Sequence, residues 1–174
     1  MANNDYFEVE GGKKLSGTIL ASGNKNEALP AIAATLLTDE EVSIDNIPDI
    51  LDTKHMIDIA ADLGVKVKKI SKNHYSFKAD KITKDHIDAS MSAKIRSSLL
   101  FLAPMLLRKG SVPLPDSGGD KIGKRRIDSH LFAFIKLGVQ IDDDGKDCIL
   151  SAKRLKGTDF ILDEASVMAT ENAT

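Results

Sequence analysis

The sequence predicts a mixed α/β (α+β) fold assembled from repeated helix–strand–helix–strand–strand units. Three observations carry that expectation. Laid against itself, the chain shows a repeat of about 70 residues, a period that usually marks a repeated structural unit. Both copies close a helix with L-G-V and pass directly into a strand pattern. Each copy then ends in two short runs of strand character joined by turn residues.

The first copy runs S-G-N-K-N-E-A-L-P-A-I-A-A-T-L-L-T-D-E-E-V-S-I and then D-T-K-H-M-I-D-I-A-A-D-L-G-V-K-V. An apolar run ending at Ile19 and Leu20 reads as a strand that turns at Ser22 and Gly23 into a helix, on which Leu29, Ile32, Ala33 and Leu36 recur at helical spacing. Asp52 is placed to cap the next helix, whose Met56, Ile57, Ala60 and Leu63 form one face and whose terminator is Gly64. Strands follow at Val65 to Ile70 and His74 to Ala79. In the second copy the pattern predicts one long apolar helix from about Ser92 to Arg108, kinked by Pro104 and ended before Gly110. A helix from Ile127 to Leu137 and a hairpin around Asp142-Asp143-Asp144-Gly145 complete it. A third copy opens with T-D-F-I-L-D-E-A-S-V-M-A-T-E-N-A-T, read as strand, turn and first helical turn. The chain therefore reads as the front part of a longer protein, because a helix nucleus is costly unless the helix propagates.

Composition narrows the class. The chain has 174 residues, of which 42% are hydrophobic, enough to bury a core of its own. Net charge is -2 and the sequence pI about 6.1, so no global field attracts nucleic acid or an anionic membrane. The N-terminus has no cationic start followed by an apolar stretch, and no run approaches the roughly 20 apolar residues of a membrane span. The chain is read as cytoplasmic, with neither membrane nor nucleic acid as partner. Cys148 is the only cysteine, which excludes an internal disulfide, and it reads as a small buried hydrophobe. His55, His74, His86 and His130 have no ligand spacing with carboxylates or with Cys148, so no metal is expected.

Two stretches carry chemistry. At Ser22 to Pro30 a helix start with Lys25 in its first turn offers an anion amides, the positive dipole end and a full charge. From position alone Lys25 also reads as a solvated lysine and Asn26 as a first-turn polar residue. Arg96 holds the matching region of the second copy, either on a solvent face or facing the same cavity as Lys25. The loop Pro115 to His130 contains Gly118, Gly119, Asp120, Lys121, Lys124, Arg125 and Arg126. It reads as a lid with one acid and with arginines suited to bidentate phosphate contact, or as an ordinary surface loop. Asp128 and Ser129 suit hydrogen bonding to a polyol or uracil-like edge, or local helix capping.

The motifs L-S-G-T-I-L-A-S-G-N-K-N-E-A-L-P, A-K-I-R-S-S-L, G-G-D-K-I-G-K-R-R-I-D-S-H, R-L-K-G-T-D-F-I-L-D and A-S-V-M-A-T-E-N-A occur in one order along nearly the whole chain. Together they resemble the N-terminal portion of the UDP-N-acetylglucosamine 1-carboxyvinyltransferase family of enolpyruvyl transferases. The resemblance implies an inside-out α/β barrel of pseudo-threefold units, helices inside and sheets outside, in a two-domain protein more than twice this length. Residues 1–21 would then be an N-terminal strand segment and 22–174 the first domain, holding two units and the start of a third, with the second domain absent. The implied reaction moves the enolpyruvyl group of phosphoenolpyruvate to the 3'-hydroxyl of UDP-N-acetylglucosamine with release of phosphate and no cofactor. Asp120 would be the proton donor. Lys25 and Asn26 match the phosphoenolpyruvate-contacting pair, and Arg96 a substrate-site arginine. Arg125, Arg126, Ile127, Asp128 and Ser129 match the loop that binds the UDP-sugar, and Glu164, Ala165, Ser166 and Val167 a further nucleotide-sugar segment.

Two positions depart from the family pattern. Asp120 stands where a cysteine is usual, although aspartate variants belong to the family, and this implies resistance to fosfomycin. Met168 stands where glycine is common. The incomplete third unit leaves an edge and an apolar face open, which favours self-association.

Overall fold

In the computed structural model, which describes residues 6–118 and 126–174, the two copies fold into equivalent units. Unit one comprises α1 (Lys25–Ala34) with a 3₁₀ turn (Thr35–Leu37), β1 (Glu41–Ile44), α2 (Leu51–Asp62), β2 (Lys66–Ser71) and β3 (His74–Lys78). Unit two comprises α3 (Ala89–Ser92), a 3₁₀ segment (Arg96–Phe101), α4 (Leu102–Lys109), β4 (Ser111–Pro113), α5 (Asp128–Lys136), β5 (Gln140–Asp143) and β6 (Cys148–Ser151). α6 (Val167–Ala173) opens the third. The predicted helix–strand–helix–strand–strand order holds in both copies. None of the helices among the described residues is long and apolar enough to cross a membrane.

Both sheets are antiparallel and have the same topology, with the last strand of the unit in the middle: β1-β3-β2 and β4-β6-β5. The register aligns one apolar triplet across each sheet, Val42–Phe77–Val67 in the first and Val112–Leu150–Ile141 in the second. Phe77 and Leu150, at the centres of these triplets, are both fully buried. They meet the helices, whose Ile32, Leu36, Met56, Leu63, Leu99, Leu102, Met105 and Phe134 form the bulk of a single core spanning both units. The face anticipated for α2 is the buried one, with Met56, Ala60 and Leu63 inside and Ile57 partly so.

The L-G-V closures have a backbone cause. Gly64 (φ 110°) and Gly138 (φ 94°) both lie in the left-handed region, where a side chain is strained. The chain reverses there so that Val65 and Val139 bury at the start of each strand pair.

The structure corrects several expectations. The long helix at Ser92 to Arg108 is three pieces, because Ser98 competes for the Ile95 carbonyl: its Oγ donates there at 2.8 Å and its amide closes a tighter turn onto the same oxygen. Pro104 sits in the first turn of α4, where its missing N–H costs little. Asp52 does not cap α2, whose N-cap is Ile50 without a side-chain bond. The hairpin turn lies at Asp144 to Asp147 rather than Asp142 to Gly145, with Asp144 Oδ1 accepting from the amides of Lys146 and Asp147 at 2.9 and 2.8 Å. Finally, neither the run ending at Leu20 nor Asp159 to Leu162 forms a strand: both lack a ladder partner among the described residues, and Phe7, Leu15, Ile19, Leu20 and Ile161 stand exposed. Cys148 is half-buried rather than buried, and burial raises its thiol pKa.

Two measurements test this account. A Cβ at Gly64 would lie 2.8 Å from the Lys81 carbonyl oxygen, whereas at Gly138 the nearest atom, Arg154 O, is 3.8 Å away. Gly64→Ala is therefore expected to cost about 3 kcal/mol and Gly138→Ala only about 1 kcal/mol in denaturant titrations. Equal losses would show that the close approach to Lys81 is not the constraint. In hydrogen exchange, amides 159–162 are expected to exchange within the dead time while those of β3 and β6 are protected, and strong protection at 159–162 in a monomeric sample would contradict the unpaired geometry.

Candidate functional site

The site grows from the start of α1. Asn24 is the N-cap, its Oδ1 accepting from the Asn26 amide at 2.8 Å, and this fixes where the helix begins. Lys25 and Asn26 are thereby set on the exposed first turn, at the positive end of the helix. Ala28, Leu29, Ile32 and Ala33 bury the opposite side. Lys25 Nζ lies 2.6 Å from Asp52 Oδ2 on α2, which holds the ammonium at the mouth of a cavity of about 440 Å³. Asn26, Lys94, Ile95, Arg96 and Met168 are among the other residues that line it.

Arg96 opens the 3₁₀ segment and is half-buried. Its Nη2 donates to Arg126 O at 2.7 Å, tying the segment to the chain leading into α5. A second cavity of about 420 Å³ is lined by Arg96, Arg126, His130, Glu164, Ser166 and Met168, with Ala165 and Val167 also at its wall. Arg96 and Met168 border both cavities, which makes the two halves neighbours along one wall. Met168, marked in the sequence as a departure, is thus at their junction.

The loop residues divide by environment. Asp120 and Arg125 lie outside the described residues. Asp128 and Ser129 open α5 but make no cap bond. Instead Asp128 Oδ2 accepts from Arg126 Nε at 2.6 Å, an exposed pair that holds the guanidinium at the cavity edge. Ser129 is buried and donates to Glu164 Oε1 at 3.0 Å, which joins α5 to the segment leading into α6. The side chain of Ile127 packs against the core. Ser166 N-caps α6, its Oγ accepting from the Ala169 amide at 3.3 Å.

Three residues escaped the sequence reading. Asp52 was legible only as a cap. His130 was assigned no function because no ligand spacing marked it, yet it is 2% exposed at the cavity wall beside Arg96 and Glu164. Asn172 on α6 reaches it, with Nδ2 2.9 Å from His130 Nδ1. Burial, reinforced by the Arg96 charge and opposed by Glu164, lowers the His130 pKa to about 4, so the ring is neutral at pH 7.

A repeated α/β protein with a helix core and a cation-lined wall at the joint between its units defines the class. Residues 9–173 match the EPSP synthase (3-phosphoshikimate 1-carboxyvinyltransferase) family, and the chain belongs to that family. The UDP-N-acetylglucosamine 1-carboxyvinyltransferase of Borreliella burgdorferi is 47% identical over 166 residues, covering 95% of this chain and 39% of that protein. The enzyme of the same name from Porphyromonas gingivalis is 45% identical over 172 residues, with 95% and 40% covered. This chain thus spans about two fifths of the length of these curated relatives. Among solved structures, the enolpyruvyl transferase NikO from Streptomyces tendae superposes with a TM-score of 0.68 at 25% identity, over 83% of this chain and 32% of its own. The resemblance drawn from the motifs and the predicted fold class both stand.

Two outcomes are expected. Lys25 and Asp52 are both well exposed, so their pair adds little stability, but the carboxylate competes with any anion for Lys25. Asp52→Asn should leave the melting temperature nearly unchanged and tighten inorganic phosphate binding about threefold at low salt; weaker binding would mean that Asp52 is needed to aim the lysine. For His130, a base with its folded pKa depressed, the unfolded chain binds the extra proton between pH 6.5 and about 4. Its contribution is complete above pH 6.5 and declines as pH falls, by about 3 kcal/mol at pH 4. Denaturant titrations from pH 7 to 4 should show this slope in wild type and a shallower one in His130→Gln, and parallel slopes would remove His130 as the source.

Proposed function

We propose that this chain supplies one side of an enolpyruvyl transfer site that moves the enolpyruvyl group of phosphoenolpyruvate to the 3'-hydroxyl of UDP-N-acetylglucosamine. The observation that supports it best is the convergence of Lys25, Asn26, Arg96, Arg126 and the segment 164–167 on two adjoining cavities, in a chain 42–48% identical to curated enzymes of that name. Lys25 and Arg96 supply positive charge for the phosphate and carboxylate of phosphoenolpyruvate, and Arg126 to Ser129 with Glu164 to Val167 form the nucleotide-sugar side. Peptidoglycan precursor synthesis in the cytoplasm is the setting this reading implies.

The reaction adds the sugar hydroxyl to C2 of phosphoenolpyruvate while a proton is delivered to its methylene C3; loss of phosphate and of a C3 proton then restores the double bond. We assign the donor role to Asp120 and phosphate charge stabilisation to Lys25 and Arg125. An aspartic acid of ordinary pKa, about 3.9, is ionised at pH 7, so this role requires the bound phosphate dianion and exclusion of water to raise it. In this reading residues 22–174 belong to the first domain of a larger enzyme, and full acceleration needs groups from a facing domain.

A second acceptor, 3-phosphoshikimate, is favoured only by the description of the family. Titration calorimetry discriminates: heat of binding is expected with UDP-N-acetylglucosamine and none with 3-phosphoshikimate, and the reverse pattern would replace the acceptor. The donor assignment has its own test in an active enzyme that contains this chain. A carboxylate is a much poorer nucleophile toward an epoxide than a thiolate, so fosfomycin should leave the enzyme active and Asp120→Cys should make it sensitive. Time-dependent inactivation with an adduct on Asp120 would refute the nucleophilicity argument, and normal turnover by Asp120→Ala would remove Asp120 from the mechanism.

A further inference from the structure

α6 carries Asn172 into the interior, where it is 5% exposed and meets two groups of unit two. Its Nδ2 lies 3.0 Å from Leu99 O and 2.9 Å from His130 Nδ1. A carbonyl oxygen only accepts, so the amide must turn its NH₂ toward Leu99. The second amide hydrogen is then aimed at His130 Nδ1, which must be the unprotonated nitrogen, and the single proton of the neutral ring sits on Nε2. Turning the amide over would set Asn172 Oδ1 against the Leu99 carbonyl. The observed orientation is kept although it leaves Oδ1 buried and unpaired.

His130 lines the cavity that Arg96, Arg126 and Glu164 also line. Of these, Arg96 disfavours and Glu164 favours a charge on the ring. Two arginines there already attract phosphate of any kind. A neutral N–H adds a donor without net charge, whose bond depends on where a hydroxyl or carbonyl oxygen lies and not on the ligand's charge.

We propose that Asn172 is a positioning residue that locks His130 as the neutral Nε2–H tautomer, so that the cavity wall presents a neutral N–H donor to an oxygen of the bound nucleotide sugar. The identity of the ligand rests on the function proposed above; the tautomer does not. The lock also couples the third unit to the site, since the residue that sets the proton comes from α6 and the ring it sets comes from α5.

Long-range ¹H–¹⁵N NMR on the 174-residue chain reads the tautomer directly. Wild type is expected to show His130 at pH 7 with a bare Nδ1 and a protonated Nε2. Asn172→Asp, whose carboxylate can only accept, should move the proton to Nδ1 and weaken binding of UDP-N-acetylglucosamine about tenfold by calorimetry. His130→Gln, which retains a neutral N–H, should bind better than His130→Leu. A wild-type ring protonated on Nδ1, or charged at pH 7, overturns the lock without reference to any variant. A relocated proton with unchanged affinity, or equal affinity of the Gln and Leu variants, overturns the donor role. Wild type that does not bind UDP-N-acetylglucosamine overturns the donor's ligand together with the substrate reading, while the wild-type tautomer still decides the lock.

Discussion

Neither three-stranded sheet can bury its apolar face alone, and the whole arrangement follows from that constraint. Phe77 and Leu150 each stand at the centre of a sheet, and each needs helices against it to leave water. The helices of both units supply one shared core. The end of α4 shows how closely the units are joined. Arg108 donates from Nη1 to Leu36 O at 3.0 Å and from Nη2 to Ala79 O at 2.7 Å, and Lys109 Nζ donates to Ile82 O at 2.8 Å. Cations at the C-terminus of a unit-two helix thus bond directly to backbone carbonyls of unit one.

The same joining creates the site. Helix starts have unpaired amides and a positive end, and the shared core brings the starts of α1 and the Arg96 segment to one wall. Lys25 and Arg96 would repel each other there without compensation, and Asp52 and the Arg126 carbonyl supply it. Both compensating groups come from neighbouring elements. The wall is consequently a property of the packed units and not of either copy alone, and α6 extends it through Ser166, Met168 and the buried Asn172.

Much of the fold was legible because it depends on local chemistry. L-G-V reports a left-handed glycine, apolar spacing reports the buried helix face, and the turn at Ser22 and Gly23 reports the helix start that follows it. What misled was also local. Leucines at helical spacing suggested one long helix from Ser92, while Ser98 took the Ile95 carbonyl that such a helix would need. The apolar residues before Leu20 and at Asp159 to Leu162 have strand composition, but a strand exists only by pairing, and composition does not specify a partner.

By itself, the sequence determined the repeat, the order of elements in each unit, the charged segments at Lys25, Arg96 and Arg126, and the motifs shared with enolpyruvyl transferases. All of these are set by residues within a few positions of one another or by order along the chain. Tertiary structure alone decided that Asp52 faces Lys25, that Ser129 pairs with Glu164 and that Asn172 determines which nitrogen of His130 carries the proton. These partners are distant in sequence, and a hydrogen bond forms only where packing brings donor and acceptor to about 3 Å with the right alignment, a condition that no local pattern records.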